Sequence, residues 1–364
     1  MNSKNQEAIY DVKELSKGKI IVLGLQHVFA MFGATVLVPI ITGLDISTTL
    51  LFAGLGTLLF HVLTKMKVPA FLGSSFAFLG GYAAIAPLNA DGSVNERGLV
   101  AHIENQIENG AAGIFIMGTM GCQPAIRTKD YPKVAQIASD AVNGRTALLV
   151  GAMDNSIARV RDRIKALHGC ELTGVVLTTP FFFPCQGKLL INFFTQIADT
   201  SEFPVFLYDQ PGVTNNKITN GDLAQLAKHP NILGIKTADI SHVRYLKENH
   251  PDFEVLYSHS DLYAAAAALG VDKFLEGMFC VTPKNARILS EAFNAGDSKT
   301  AVAALKKVLK LRDFFIQAGI NPCLTKCLNL LGIEGNCNLD FEPAVSETDA
   351  KMLTQILREI GELV

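Results

Sequence analysis

Charge is nearly missing from Ile20 to Leu88, where Asp45, Lys65 and Lys67 are the only ionised residues. A stretch so depleted is not the surface of an ordinary soluble domain. Basic runs with interleaved aromatics are missing everywhere. The net charge of −2 divides into +2 for residues 1–88 (six lysines against four acids) and −4 for the remainder, and neither value suits a nucleic-acid surface. Cysteine is present but unframed. Cys122, Cys170, Cys185, Cys280, Cys323, Cys327 and Cys337 are odd in number and irregular in spacing, which argues against a disulfide scaffold and for reduced thiols in a cytosolic compartment. Cys323 and Cys327 share a helix face, yet no histidine or third thiol beyond Cys337 is near enough for a zinc set, so buried helix thiols are expected. No phosphate-binding glycine loop or metal constellation stands out.

The uncharged region contains two runs of membrane-spanning length. Ile20 to Ile41 and Ile46 to Thr64 both reach the roughly 20 residues that an α-helix needs to cross hydrocarbon. A third run, Val68 to Leu88, is broken by Gly, Ser and Pro. The first is too long and wrongly flanked for a cleaved signal peptide. Lys4, Lys13, Lys17 and Lys19 precede the first run and Lys65 and Lys67 follow the second, which predicts a helical hairpin with both ends in the cytoplasm. Membrane association through residues 20–64 is therefore expected.

Polar residues within these runs include the pair Gln26-His27, in LGLQHVFAMFGATVLVPI; GSSFAF follows at residues 73–78. In this order the segments resemble the N-terminus of the uracil/xanthine permease type of nucleobase–cation symporter, over about Gly18 to Pro87. The resemblance implies a nucleobase site near the QH pair and Ser74 to Phe78. Such transporters assemble their site between repeats of many spans. Two spans and part of a third do not enclose a cavity, so transport by this chain alone is not expected.

After Pro87 the pattern changes to short apolar runs separated by amphipathic segments. Ala112–Met117, Thr146–Val150, Gly174–Thr178, Pro204–Tyr208, Ile232–Lys236, Glu254–Tyr257 and Lys273–Glu276 are seven candidate strands. Helix-length segments such as Asp130–Asn143 and Ser156–His168 follow them. This alternation predicts a parallel sheet, here a (β/α)8 TIM barrel. The remaining strand, first in order, is expected from Tyr82–Pro87 (YAAIAP), within the permease-like segment; if those residues belong to the membrane part, the barrel is a strand short. Further helices are predicted at Lys299–Ala318, Pro322–Leu331 and Ser346–Leu363. The expected organisation is a membrane-like segment over 1–87 and a barrel with a C-terminal helical extension over 88–364.

Active sites of such barrels sit at the carboxyl ends of the strands. Lys236 ends ILGIK, a run otherwise without charge, and Tyr208 ends the preceding strand, PVFLY. Neighbouring strands lie about 4.8 Å apart, so matched ends bring a phenol near an amine. Such an amine attacks a ketone to give an iminium, an electron sink, while the phenol moves protons. Position alone leaves an ion-paired or snorkelling lysine open; the tyrosine beside it favours catalysis.

LNADGSVNERGL (88–99), GTMG (118–121), TTPFFFP (178–184), YDQPG (208–212) and GIKTA (234–238) occur in that order. Together they resemble the pyruvate-dependent class I aldolase family of dihydrodipicolinate synthase and N-acetylneuraminate lyase. The resemblance implies Lys236 as the Schiff-base lysine, Tyr208 as the proton relay, and no cofactor beyond the covalent Schiff base through Lys236. It also implies that Thr119, with backbone N–H groups of Met120 and Gly121, holds the 2-oxo acid carboxylate, and that the protein is a homo-oligomer, a tetramer made of dimers. The sequence departs from the family at Met120, where a second hydroxyl residue is usual, at Cys122, usually acidic, and at Phe182, a tyrosine in the synthases. It departs also at Val213, where the synthases carry the arginine that grips a second carboxylate. The loss of that arginine and of the tyrosine argues against aspartate semialdehyde and for a less acidic partner, such as a sugar-acid-derived or simple aldehyde. Asp209, Gln210, Asn215 and Asn216 offer polar contacts, with a solvated loop the simpler expectation for the two asparagines. Glu276 stays open between a second acid of the site and an ion-pair partner, and His259 is expected to be structural.

The expected activity is therefore a lyase joining or splitting a 2-oxo acid, pyruvate, and an aldehyde, in a cytoplasmic domain that the hairpin anchors. A 2-oxo sugar-acid dehydratase acting through the same iminium is the near alternative. An inactive fusion with a transporter fragment is the alternative from another class.

Overall fold

The computed structural model describes residues 85–363, the backbone of 81–83, and eight helical residues between 47 and 62. The chain divides into two compact units, Met1–Ala77 and Phe78–Val364. Ile20–Ile41 with the Gln26-His27 pair, most of Ile46–Thr64, and Ser74–Phe78 lie outside the described residues. Among those that are described, no helix is long and apolar enough to cross a membrane.

In the second unit eight parallel strands close into a barrel in sequence order. They are β1 (Gly81–Ala83), β2 (Gly113–Ile116), β3 (Ala147–Gly151), β4 (Gly174–Thr178), β5 (Val205–Tyr208), β6 (Ile232–Thr237), β7 (Glu254–Tyr257) and β8 (Lys273–Glu276). The helices between them are α1 (Glu96–Glu108), α2 (Tyr131–Val142), α3 (Ile157–Lys165), α4 (Lys188–Ala198), the single turn α5 (Pro211–Thr214), α6 (Asn220–Leu226), α7 (Ile240–Asn249) and α8 (Tyr263–Ala268). Four more follow β8: α9 (Pro283–Asn294), α10 (Ser298–Ala318), α11 (Ile320–Leu330) and α12 (Glu347–Glu359).

The first strand is the closing element and differs from its expected span. Tyr82 pairs with Ile114 of β2 on one side and with Glu276 of β8 on the other, and Tyr82 and Ala83 are the described residues of YAAIAP that lie in the sheet. Pro87 has no N–H for a ladder. From Ile85 the backbone finds partners outside the sheet: Ile85 N donates to His102 Nδ1 at 3.3 Å, and Asn95 N donates to Pro87 O.

Two apolar cores hold the barrel. The larger fills the space between strands and helices, with Ile114, Ile116, Val175, Leu177, Leu207 and Ile235 as strand contributors. A smaller one fills the interior with Phe115, Leu149, Val176, Phe206, Leu256 and Leu275, and Tyr208 and Met153 belong to it. The strands thus bury both faces, which is why they read as continuous apolar runs. Cys323 and Cys327 are buried free thiols, and every described cysteine is unpaired.

Side-chain caps mark several helix starts. Asn95, Ser156 and Ser346 accept backbone N–H groups at the beginnings of α1, α3 and α12. Thr219 and Asp222 close a capping box on α6. These caps satisfy donors that a helix start leaves open, about 1 kcal/mol each.

Candidate active site

The register of β5 against β6 sets Tyr208 opposite Lys236. Successive strand residues face opposite ways, so both side chains enter the barrel while Asp209 and Thr237 face the helices. Lys236 is 6% exposed. Its Nζ lies 3.1 Å from Tyr208 Oη and 4.2 Å from the centre of the phenol ring. Thr119 Oγ1 lies 3.3 Å from the same Oη, so the phenol oxygen accepts from an amine and from a hydroxyl. Phe115 meets the Tyr208 ring edge-on, with centroids 6.3 Å apart, and fixes its plane. The sequence-predicted residues Lys236, Tyr208 and Thr119 therefore meet at one point.

The loop after β2 is wound tightly. Met117 and Cys122 bracket it with φ of 54° and 47°, a left-handed conformation that costs a side-chain-bearing residue energy. Gly151 on β3 lets the loop approach, because a Cβ there would stand 1.9 Å from Met117 O. Within the loop, Cys122 N donates to Thr119 O, whereas the N–H groups of Thr119, Met120 and Gly121 have no acceptor among the described residues. Successive free N–H groups of this kind suit an anion. The Met120 thioether lies on Gly277, where a Cβ would fall 1.9 Å from its Sδ, joining this loop to the end of β8. Burial, with Glu342 adding to it, pushes the Cys122 thiol up to about 11.

The remaining sequence-predicted residues lie apart from this point or serve the scaffold. Glu276 accepts Gly277 N at 2.9 Å and caps the turn after β8. Val213 sits on α5, 53% exposed. Asn216 is buried rather than solvated. Its side chain takes the N–H of Cys185 and donates to Pro180 O, Phe183 O and Thr214 O, tying the β4 loop to the β5 loop. Asn215 is exposed with φ of 56°. His259 stands 3.9 Å from Asp261, outside the group around Lys236.

Sequence reasoning missed a polar network behind the strand ends. Lys217 Nζ is 2.5 Å from Asp209 Oδ2 and 2.8 Å from Asp239 Oδ2. Asp209 Oδ1 accepts Ile218 N. His242 Nδ1 is 3.0 Å from Thr237 Oγ1 and 3.7 Å from Asp209 Oδ2. Burial works against charge on Lys217, but its bonds to the two aspartates prevail and hold the amine above the usual lysine range. Burial opposes ionisation of Asp239 too; the bonds from Lys217 and Ser241 outweigh it and hold the carboxyl well below the usual range. Burial, then the charge of Lys217, lowers His242. One signal was available: Asp209 and Thr237 each follow a site residue by one, and so share the outward face.

A separate cavity of about 350 Å³ lies between the loops after β3 and β4, lined by Asp154, Asn155, Arg159, Arg163 and Phe181 among others. It holds none of the residues that meet at Lys236. Among the described residues no group of three or more His, Cys, Asp or Glu side chains is placed to hold a metal.

Comparison with known proteins agrees with this fold. The model of the Dihydrodipicolinate synthetase family matches residues 80–359. A 4-hydroxy-tetrahydrodipicolinate synthase from Exiguobacterium sp. is 31% identical over 288 residues, covering 76% of this chain and 96% of that protein. The corresponding synthase from Acidiphilium cryptum is 28% identical, covering 74% and 94%. Among solved structures, the dihydrodipicolinate synthase from Thermotoga maritima superposes with a TM-score of 0.72 at 24% identity, over 78% of this chain and 98% of that one. A prophage protein of the dihydrodipicolinic acid synthase family from E. coli K12, in complex with pyruvate, gives 0.71 at 22% identity, over 77% and 98%.

Proposed function

The chain belongs to the dihydrodipicolinate synthetase family, and on that premise we propose that it is a class I aldolase acting on pyruvate through a Schiff base on Lys236. The observation that carries the reading is the buried amine of Lys236 held 3.1 Å from the Tyr208 phenol, itself 3.3 Å from Thr119. In the proposed reaction Nζ attacks C2 of pyruvate, the carbinolamine expels water, and an iminium forms. Loss of a C3 proton gives the enamine, whose C3 joins the aldehyde carbonyl; hydrolysis of the new iminium frees the lysine. The same steps in reverse cleave the product. Tyr208 carries protons at the C2 oxygen and the aldehyde oxygen, and Thr119 links the phenol to the loop. The free N–H groups of Thr119, Met120 and Gly121 receive the pyruvate carboxylate. No external cofactor takes part.

The acceptor is an aldehyde less acidic than aspartate semialdehyde. Val213 brings no charge to α5, and Lys217, the one cation described from Asp209 to Lys217, is engaged by two carboxylates. Borohydride reduction in the presence of pyruvate, followed by peptide mass measurement, tests the Schiff base: a pyruvate-derived adduct on the Lys236 peptide is expected. Condensation assays then rank the acceptors. Simple or sugar-derived aldehydes should consume pyruvate faster than aspartate semialdehyde does, and the opposite order would overturn the acceptor assignment.

The proposal extends to the setting of the enzyme, as a membrane-anchored homo-oligomer facing the cytoplasm. Its support is the near-absence of charge from residues 20–64, where Asp45 is the one ionised residue, and the family resemblance. Full-length protein should pellet with membranes and require detergent for release, and light scattering of the released protein should give a multiple of the chain mass. Recovery in the detergent-free soluble fraction would remove the anchor.

A further inference from the structure

The reading of Lys236 as nucleophile leaves unexplained a charged network directly behind it. Three segments contribute: the stretch after β5 (Asp209, Lys217), the end of β6 with the start of α7 (Thr237, Asp239), and α7 itself (His242). Asp209 and His242 are buried, while the Lys217 side chain is 39% exposed and reaches in from the edge. A cavity of about 310 Å³ borders the network on its outer side, lined by Gln210, Pro211, Gly212 and Ala238 as well as by Asp209, Lys217 and Asp239.

Its connections run to the backbone that bears the site. Asp209 N donates to Lys236 O at 3.0 Å, the last rung between β5 and β6. The Asp209 side chain then turns outward to Lys217, and Lys217 crosses to Asp239, which caps α7 by accepting Ser241 N at 2.7 Å. Thr237, next to Lys236, accepts Asp239 N and meets His242. One cation thus bridges the segments that continue the two strands on which Tyr208 and Lys236 stand. Because inward and outward residues alternate on one backbone, a clamp on the outer face fixes the inner pair.

We propose that Lys217 is a positioning residue for the iminium chemistry. By bridging Asp209 and Asp239 it locks the ends of β5 and β6 in register and holds the Tyr208 phenol against the Lys236 amine. This rests on Lys236 being the nucleophile. A displacement of about 1 Å at a reacting pair can cost on the order of 10²-fold in rate, so a loosened clamp is read directly in the chemical step.

The test uses full-length protein and the rate of borohydride trapping with pyruvate. Lys217→Met should slow trapping and kcat by about ten-fold or more while KM for pyruvate changes by less than about three-fold, since the loop that receives the carboxylate is untouched. Lys217→Arg, which still reaches both carboxylates, should recover to within about three-fold of the parent. The pH profile supplies a readout that a purely structural role would not move. With Lys217 gone, the titratable neighbours of the two aspartates among the described residues are His242, which faces both, and the Tyr257 phenol, which faces Asp239 and donates to Ala238 O. Burial still lowers His242, but it loses the cation that lowers it further and keeps the carboxylates that raise it, so its titration should move upward and trapping should acquire a pH dependence that the parent lacks. If Lys217→Met fails to fold, Asp239→Asn decides: asparagine still caps α7 but gives Lys217 no charge, and about three- to ten-fold slower trapping is expected. A folded Lys217→Met or Asp239→Asn variant with parental trapping rate and pH profile overturns the clamp and leaves the nucleophile assignment standing. Absence of trapping in the parent protein overturns the assignment itself, and the clamp with it.

Discussion

Replacing Lys236 with alanine is expected to abolish the pyruvate adduct and to lower turnover by on the order of 10⁴-fold or more, as loss of a covalent nucleophile does. The case against other lysines is structural. Lys217 is held by Asp209 and Asp239, and Lys273, at the start of β8, is paired with Glu254 at 2.7 Å. Those bonds outweigh burial and raise both amines above the usual range, which favours the protonated form over the nucleophile. Lys236 has a phenol as its partner instead of a carboxylate. Its removal therefore orphans no buried counter-charge, and the variant should unfold within a few degrees of the parent. Borohydride trapping, peptide mapping and thermal unfolding on the same samples decide the matter. An adduct that persists on another peptide in folded Lys236→Ala would move the nucleophile elsewhere; a loss of activity accompanied by collapse of the fold would reduce Lys236 to a structural role.

Much of the barrel was legible because its strands are buried on both faces. ILGIK and PVFLY announce themselves as apolar runs, and the polar residue ending each stands out for that reason. Seven strands lie within a residue of their expected spans at either end. The first was harder: YAAIAP has the composition of a strand, but Pro87 and the bond from Ile85 N to His102 draw its second half away from the sheet. Such a partner, from the middle of α1, leaves no trace in local composition. Asn216 shows the same limit. An Asn-Asn pair in a polar stretch reads as solvated, yet one of the two is the buried tie between two loops. The Lys217 network was invisible because its members come from three segments, each unremarkable alone. What sequence offered there was the alternation rule, which places Asp209 and Thr237 behind the residues that matter and says nothing of what they meet. Met120 and Val213 were legible as departures from a family pattern. Only the structure adds that the Met120 thioether packs on Gly277 at the end of β8 while Val213 lies on an exposed turn.

Tyr208→Phe isolates the contribution of one oxygen. The ring packs against Phe115 and belongs to the interior core, so phenylalanine keeps the shape and loses Oη alone. Two donors, Lys236 Nζ and Thr119 Oγ1, lose their acceptor. General acid–base catalysis by a positioned side chain is worth about 10²- to 10⁴-fold, so a fall in kcat of at least about 10²-fold is expected. KM for pyruvate should change little, because the groups proposed to hold the carboxylate are the loop N–H donors. The adduct should still form on Lys236, more slowly, since the phenol assists carbinolamine dehydration but supplies no bond to carbon. Thr119→Val should give a smaller loss, as it removes a donor to Oη and leaves the phenol proton in place. The order of effects is the discriminating result. A Tyr208→Phe variant trapping pyruvate at the parental rate and turning over normally would take the phenol out of the mechanism, and the 3.1 Å contact would then describe only how a buried amine is solvated by its neighbours. Slow trapping with intact folding assigns the proton transfers to Tyr208, because no other hydrogen-bond partner of the Lys236 amine is found among the described residues.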